Sequence, residues 1–163
     1  MSDFLAAAGI GAGATVVVDL WSLLLKHAFK VPSLSFCLVG RWFLHMQAGR
    51  FAHAKIAAAQ PRKHECAIGW LAHYAIGIAF GVGFVCLAPA GWLQRPSIVP
   101  ALVFGLVTVL FPYLVMQPAF GLGVAASKAP DPAIARLKSL SSHLVFGLGL
   151  YICGLVFRQL VAA

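Results

Sequence analysis

The chain has 163 residues, 61% of them hydrophobic, with 12 Lys and Arg against 4 Asp and Glu and a formal net charge of +8. Charged residues make up 10%, where a soluble domain carries about a quarter, so the chain is too poor in charge for a water-facing fold and too apolar for a disordered one. Four Cys are too few for a disulfide scaffold, and a multi-span membrane protein is the class that remains.

A membrane helix needs about 20 mostly apolar residues. The first expected span covers about residues 4–25 and contains one charge, Asp19. Met1-Ser2-Asp3 before it has no positive charge, and the apolar run is longer than a signal peptide core. A retained helix is therefore expected. Next, residues 32–47 read as an amphipathic helix lying at the interface, started by Pro32 and anchored by Trp42 and Phe43. Arg41 and His45 are four apart and share one face of it. The alternative is a re-entrant segment presenting Arg41 and His45 to an internal site.

The second span is expected over 67–88, with His73 and Tyr74 near its start. The third covers 98–117, contains Pro112 and ends at Gln117-Pro118. The fourth covers 140–157, with His143 near its start. The runs are continuous and rich in Gly and Ala, unlike the alternation of strands. The expected fold class is all-α: a four-helix transmembrane bundle with an amphipathic interfacial helix between spans one and two. It forms one integral membrane domain over 1–163.

Basic residues set the expected orientation. Lys26, Lys30, Arg41, Arg50, Lys55, Arg62 and Lys63 fall in the first long connection, and Lys128, Arg136 and Lys138 in the second. Only Arg95 and Arg158 fall on the other side. In a bacterial inner membrane this places both connections in the cytoplasm and both termini in the periplasm. The expected partners are the lipid bilayer and its anionic headgroups. No basic stripe with interleaved aromatics points to nucleic acid.

An ionisable residue inside a span is a functional-site hypothesis, because burying it in lipid costs at least a few kcal/mol. Asp19 shares a helix face with Gly11, Ala12, Thr15 and Ser22. His73 lies on a face with Gly69, Gly77 and Gly81, and His143 on one with Ser139, Gly147 and Tyr151. At 1.5 Å rise per residue, Asp19 and His73 each sit roughly 9 Å from the cytoplasmic end of their spans. Asp19, His73, Tyr74, Gln117 and His143, together with Arg41 and His45, are the candidate residues for solute binding or a proton relay. Each also has a purely structural explanation: an ion pair across the bundle, a satisfied core His, or a cap beside Pro118. Gly9-x-x-x-Gly13 and Gly77-x-x-x-Gly81 suit close helix packing. His73-x-x-x-Gly77 and His143-x-x-x-Gly147 hint at a duplication with parallel halves.

His73, His143 and Asp19 are also the only candidate ligands if a metal is held, and two His could ligate haem. The spacings match no metal motif, and no cofactor is assigned. Cys37, Cys66, Cys86 and Cys153 form no C-x-x-C. The first two are expected as reduced, small apolar fillers on the cytoplasmic side.

Gly11-Ala-Gly-Ala-Thr15 leading to Asp19-Leu-Trp21, Val39-Gly-Arg-Trp42, Gly69-Trp70 with His73-Tyr74, Met116-Gln-Pro118 and Ser142-His143 with Phe146-Gly147 form a set. The set resembles the bacterial inner-membrane family catalogued as domain of unknown function 2938, over nearly the whole chain. The resemblance implies a four-helix membrane protein and brings no activity with it. The leading functional expectation is binding or transport of a small solute or ion by a homo-oligomer, with Arg41 favouring an anionic solute. An accessory subunit of a larger membrane complex comes second, and a metal- or haem-binding membrane enzyme third.

Overall fold

A computed structural model describes residues 3–32 and 35–162. It is all-helical over the described residues, and four helices are long and apolar enough to cross a membrane. α1 spans Asp3–Phe29, α2 Phe36–Met46, α3 Glu65–Leu87, α4 Ile98–Thr108, the short α5 Gln117–Ala119 and α6 Pro132–Ala162.

Several boundaries differ from the sequence expectation for local reasons. α1 continues four residues past 25, because Lys26 and His27 sit favourably at the negative end of the helix dipole. The left-handed Lys30 then ends it. α2 begins at Phe36, not at Pro32; Ser35 before it is extended. Positions 33 and 34 of the expected helix lie outside the described residues.

The third span covers Ile98–Ala119 and widens partway along. After α4 comes a wide turn over Pro112–Met116, and then α5. Proline lacks the N–H that would continue the ladder, so the backbone around Pro112 is re-routed. α6 starts eight residues before the expected 140, because Pro132 suits a first helical turn and the Asp131 carboxylate accepts from the Ile134 N–H at 3.0 Å. Arg136 and Lys138 are therefore helical, not loop, residues.

The single chain packs as two compact units. The first comprises Met1–Ser33, Tyr74–Thr108 and Ser141–Ala163. Its core gathers Ala6, Ile10, Ala14, Phe84, Trp92, Ala101, Phe146 and Leu150. Small residues let its backbones touch: a methyl group on Gly81 would meet the Gly11 Cα at 2.5 Å, and one on Gly105 would meet the Gly147 Cα at 2.8 Å. In lipid, where apolar burial drives little, such contacts supply the packing attraction. The second unit comprises Leu34–His73 and Val109–Leu140. Its core is Val39, Trp42, Ile56, Ala119 and Phe120.

Candidate functional site

In the second unit, Arg41 projects from α2 and is 9% exposed. Its Nε donates to Glu65 Oε2 at 2.9 Å and its Nη2 to Glu65 Oε1 at 2.7 Å. Nη1 faces the carbonyls of Ile56, Ala57 and Ala59 at 3.5, 3.3 and 2.9 Å. The Arg62 N–H adds a further bond to Glu65 Oε2 at 2.8 Å. The hydrogen bond to Glu65 holds the guanidinium above its ordinary pKa. Arg41 thus closes the connection between α2 and α3, and its charge is answered by Glu65.

His45, one turn further along α2, is 2% exposed. Its Nε2 lies 3.0 Å from the Gln60 carbonyl, which only accepts, so Nε2 carries a proton. The His45 Nδ1 is buried without a hydrogen-bond partner, as is His53 Nε2. The two rings meet edge to face, 4.9 Å apart. Burial, then the charges of His45 and Arg50, push His53 below the usual imidazole pKa. Trp42 donates from Nε1 to the Phe51 carbonyl at 2.8 Å. No residue of α2 from Phe36 to Met46 is fully exposed.

Within the first unit, Tyr74 on α3 donates its hydroxyl to Asp19 Oδ2 on α1 at 2.8 Å. One turn before Asp19, the Thr15 hydroxyl donates to the Gly11 carbonyl and seats the side chain against Gly77. On the other helix pair, the Thr108 hydroxyl donates to the Gly105 carbonyl at 2.6 Å. With that hydrogen committed, Thr108 accepts from His143 Nδ1 at 2.8 Å, and His143 keeps its lone pair on Nε2.

In the second unit, Gln117 is 5% exposed and donates to the Ser139 hydroxyl at 3.1 Å. Its Oε1 is buried without a donor. His73 stacks on Phe36, with centroids 4.0 Å apart.

The expected residues are thus distributed over several hydrogen-bonded pairs. Asp19 is joined to Tyr74, which also belonged to the expected set. His45 instead meets His53 and Gln60, Gln117 meets Ser139, and His143 meets Thr108; of these partners the sequence pointed only to Ser139, on the face of His143. Among the described residues, no three His, Cys, Asp or Glu side chains stand close enough to hold one metal ion. An open depression of about 330 Å³ lies in the α3–α4 loop, lined by Gly91, Trp92, Gln94, Arg95 and Ser97, and none of the expected residues lines it.

The cysteine expectation is corrected. Cys37 and Cys66 form a disulfide between α2 and α3. The reason is a helix contact: a methyl group on Gly40 would overlap the Glu65 carbonyl, and one on Gly69 the Phe36 carbonyl. Cys37-Leu-Val-Gly40 and Cys66-Ala-Ile-Gly69 therefore face each other. Cys86 and Cys153 are free thiols.

Four apolar helices packed through glycine and closed by internal polar pairs define a helical membrane protein. The chain belongs to the family described as "Protein of unknown function (DUF2938)", whose model matches residues 8–157. No curated protein and no solved structure gives a match.

Proposed function

We propose that this membrane protein binds or moves a small cation, proton or alkali ion, at Asp19. One observation carries the reading: an acidic side chain, with no other formal charge between Asp3 and Lys26 on its helix, is held from across α3 by the Tyr74 hydroxyl. An ionisable group at such depth is costly unless it is used. Its sign selects a cation. The anionic solute expected from Arg41 has less support, because that guanidinium is saturated by Glu65 and three carbonyls. An accessory role is also less supported, since Gly11, Gly77, Gly81, Gly105 and Gly147 make their close contacts inside the chain.

The proposal includes the orientation read from the basic residues, with both long connections in the cytoplasm and both termini in the periplasm of a bacterial inner membrane. The second unit carries eight of the twelve Lys and Arg, and it faces anionic headgroups in this reading. A homo-oligomer is part of it too, because four short spans enclose little space.

A hydrophobic carbodiimide tests the site, since it adds to a protonated carboxyl in an apolar setting. On the purified protein, the expected result is one adduct at Asp19 that increases as pH falls and slows in the alkali ion the site accepts. No adduct at any pH, or one indifferent to pH and to Na⁺, K⁺ and Li⁺, overturns the proposal.

A further inference from the structure

The α2–α3 joint is fastened several times over. Gly40 and Gly69 bring the backbones into contact, Arg41 pairs with Glu65, and Phe36 stacks on His73. These fastenings hold Cys37 and Cys66 together, with Cα atoms 3.8 Å apart, and none of them needs the S–S bond. The two sulfurs are not equivalent. Cys66 is exposed and is the second residue of the 23-residue α3, where the positive end of the helix dipole favours a thiolate. Arg62, Lys63 and His64 precede it, and the one nearby carboxylate, Glu65, is neutralised by Arg41. Cys37 is half-buried.

We infer that Cys37 and Cys66 form a reversible thiol–disulfide clasp, with Cys66 exchanging with small-molecule thiols and Cys37 resolving the mixed disulfide. The inference rests on the proposed orientation, which sets the pair in a reducing compartment. In the oxidising direction the co-reactant is a small disulfide, RSSR. The Cys66 thiolate attacks one of its sulfurs, forms Cys66–S–SR and releases RS⁻, which takes up a proton. The Cys37 thiolate then attacks Cys66 Sγ and expels the second RS⁻. Two protein thiols and RSSR give one protein disulfide and two RSH.

The test uses cells making the full chain, quenched in acid, denatured and tagged on free thiols with a heavy maleimide. Four tags are expected at rest, two after the thiol oxidant diamide, and four again after its removal. In the purified protein, Cys37→Ser treated with glutathione disulfide is expected to gain one glutathione on Cys66. Oxidation is expected to raise the wild-type unfolding midpoint by roughly 5 to 10 °C. Two tags under all conditions, four under all conditions, or no adduct on Cys66 overturns the inference.

Orientation is read separately. Ala57→Cys, in a chain whose native cysteines are Ser, is labelled with an impermeant maleimide in intact and in opened cells. Labelling in intact cells overturns the orientation and the clasp together. Labelling only in opened cells, with a constant tag count, overturns the clasp alone.

Discussion

Arg41 grips Glu65 with two hydrogen bonds while its third nitrogen faces three carbonyls of the connection between them. Removing one partner of a buried pair leaves an uncompensated charge, which costs about 3 to 5 kcal/mol. Arg41→Ala is therefore expected to destabilise the protein by about 3 kcal/mol, read from thermal unfolding in detergent. Arg41→Lys rescues little, because a point charge does not reproduce the planar fork. Arg41→Met combined with Glu65→Leu recovers part of the loss. Equal stability of Arg41→Ala and wild type contradicts the assignment.

The helix crossings make a graded prediction. A methyl group on Gly69 would overlap the Phe36 carbonyl, while Gly9 has nothing within 4 Å. Gly69→Ala is expected to lower the unfolding midpoint clearly. Gly9→Ala is expected to be neutral or to stabilise by about 0.5 kcal/mol, since alanine restricts the unfolded chain and suits a helix. The same ordering is expected in the yield of folded protein.

These crossings also show where the sequence was legible. Hydropathy marks four apolar runs because each must span the hydrocarbon alone, and the i, i+4 spacing of Arg41 and His45 puts both on the buried face of α2. What each side chain meets is not local. Glu65 lies 24 residues from Arg41, and His53 and Gln60 sit in the connection, where no periodicity marks them. The matched Cys-x-x-Gly of residues 37–40 and 66–69 was a readable signal for the disulfide. It was missed because the charge pattern placed both thiols in a reducing compartment. The early start of α6 was missed for a similar reason: Arg136 and Lys138 end an apolar run without ending a helix.

His53 makes stability depend on pH. Its proton is bound less tightly in the folded protein than in the unfolded chain, where imidazole titrates near 6.5. Between those two pKa values the unfolded state holds more protons, so this contribution is complete above pH about 6.5 and is lost as pH falls below it. His45 and Arg50 face the ring and oppose its charging. Unfolding midpoints measured from pH 5 to 7.5 are expected to rise with pH, and to rise less in His53→Gln.

Thr108 holds His143 through a single oxygen. Thr108→Val leaves His143 Nδ1–H without its acceptor and is expected to cost about 1 kcal/mol, as hydrogen bonds between membrane helices do. Thr108→Ser keeps the oxygen and is expected to stay near wild type. Thermal unfolding of the two variants in parallel checks this.

Ion movement at Asp19 is the central claim. The direct measurement is flux in liposomes that carry the purified protein and a trapped pH-sensitive dye, with Na⁺ or K⁺ gradients applied in turn. Wild-type protein is expected to dissipate a proton gradient or to couple it to one of these ions. Asp19→Asn, which keeps an oxygen for Tyr74, is expected to reduce the rate at least tenfold without loss of folded protein. Equal rates for wild type and Asp19→Asn, or no flux above protein-free liposomes for either, would contradict the account.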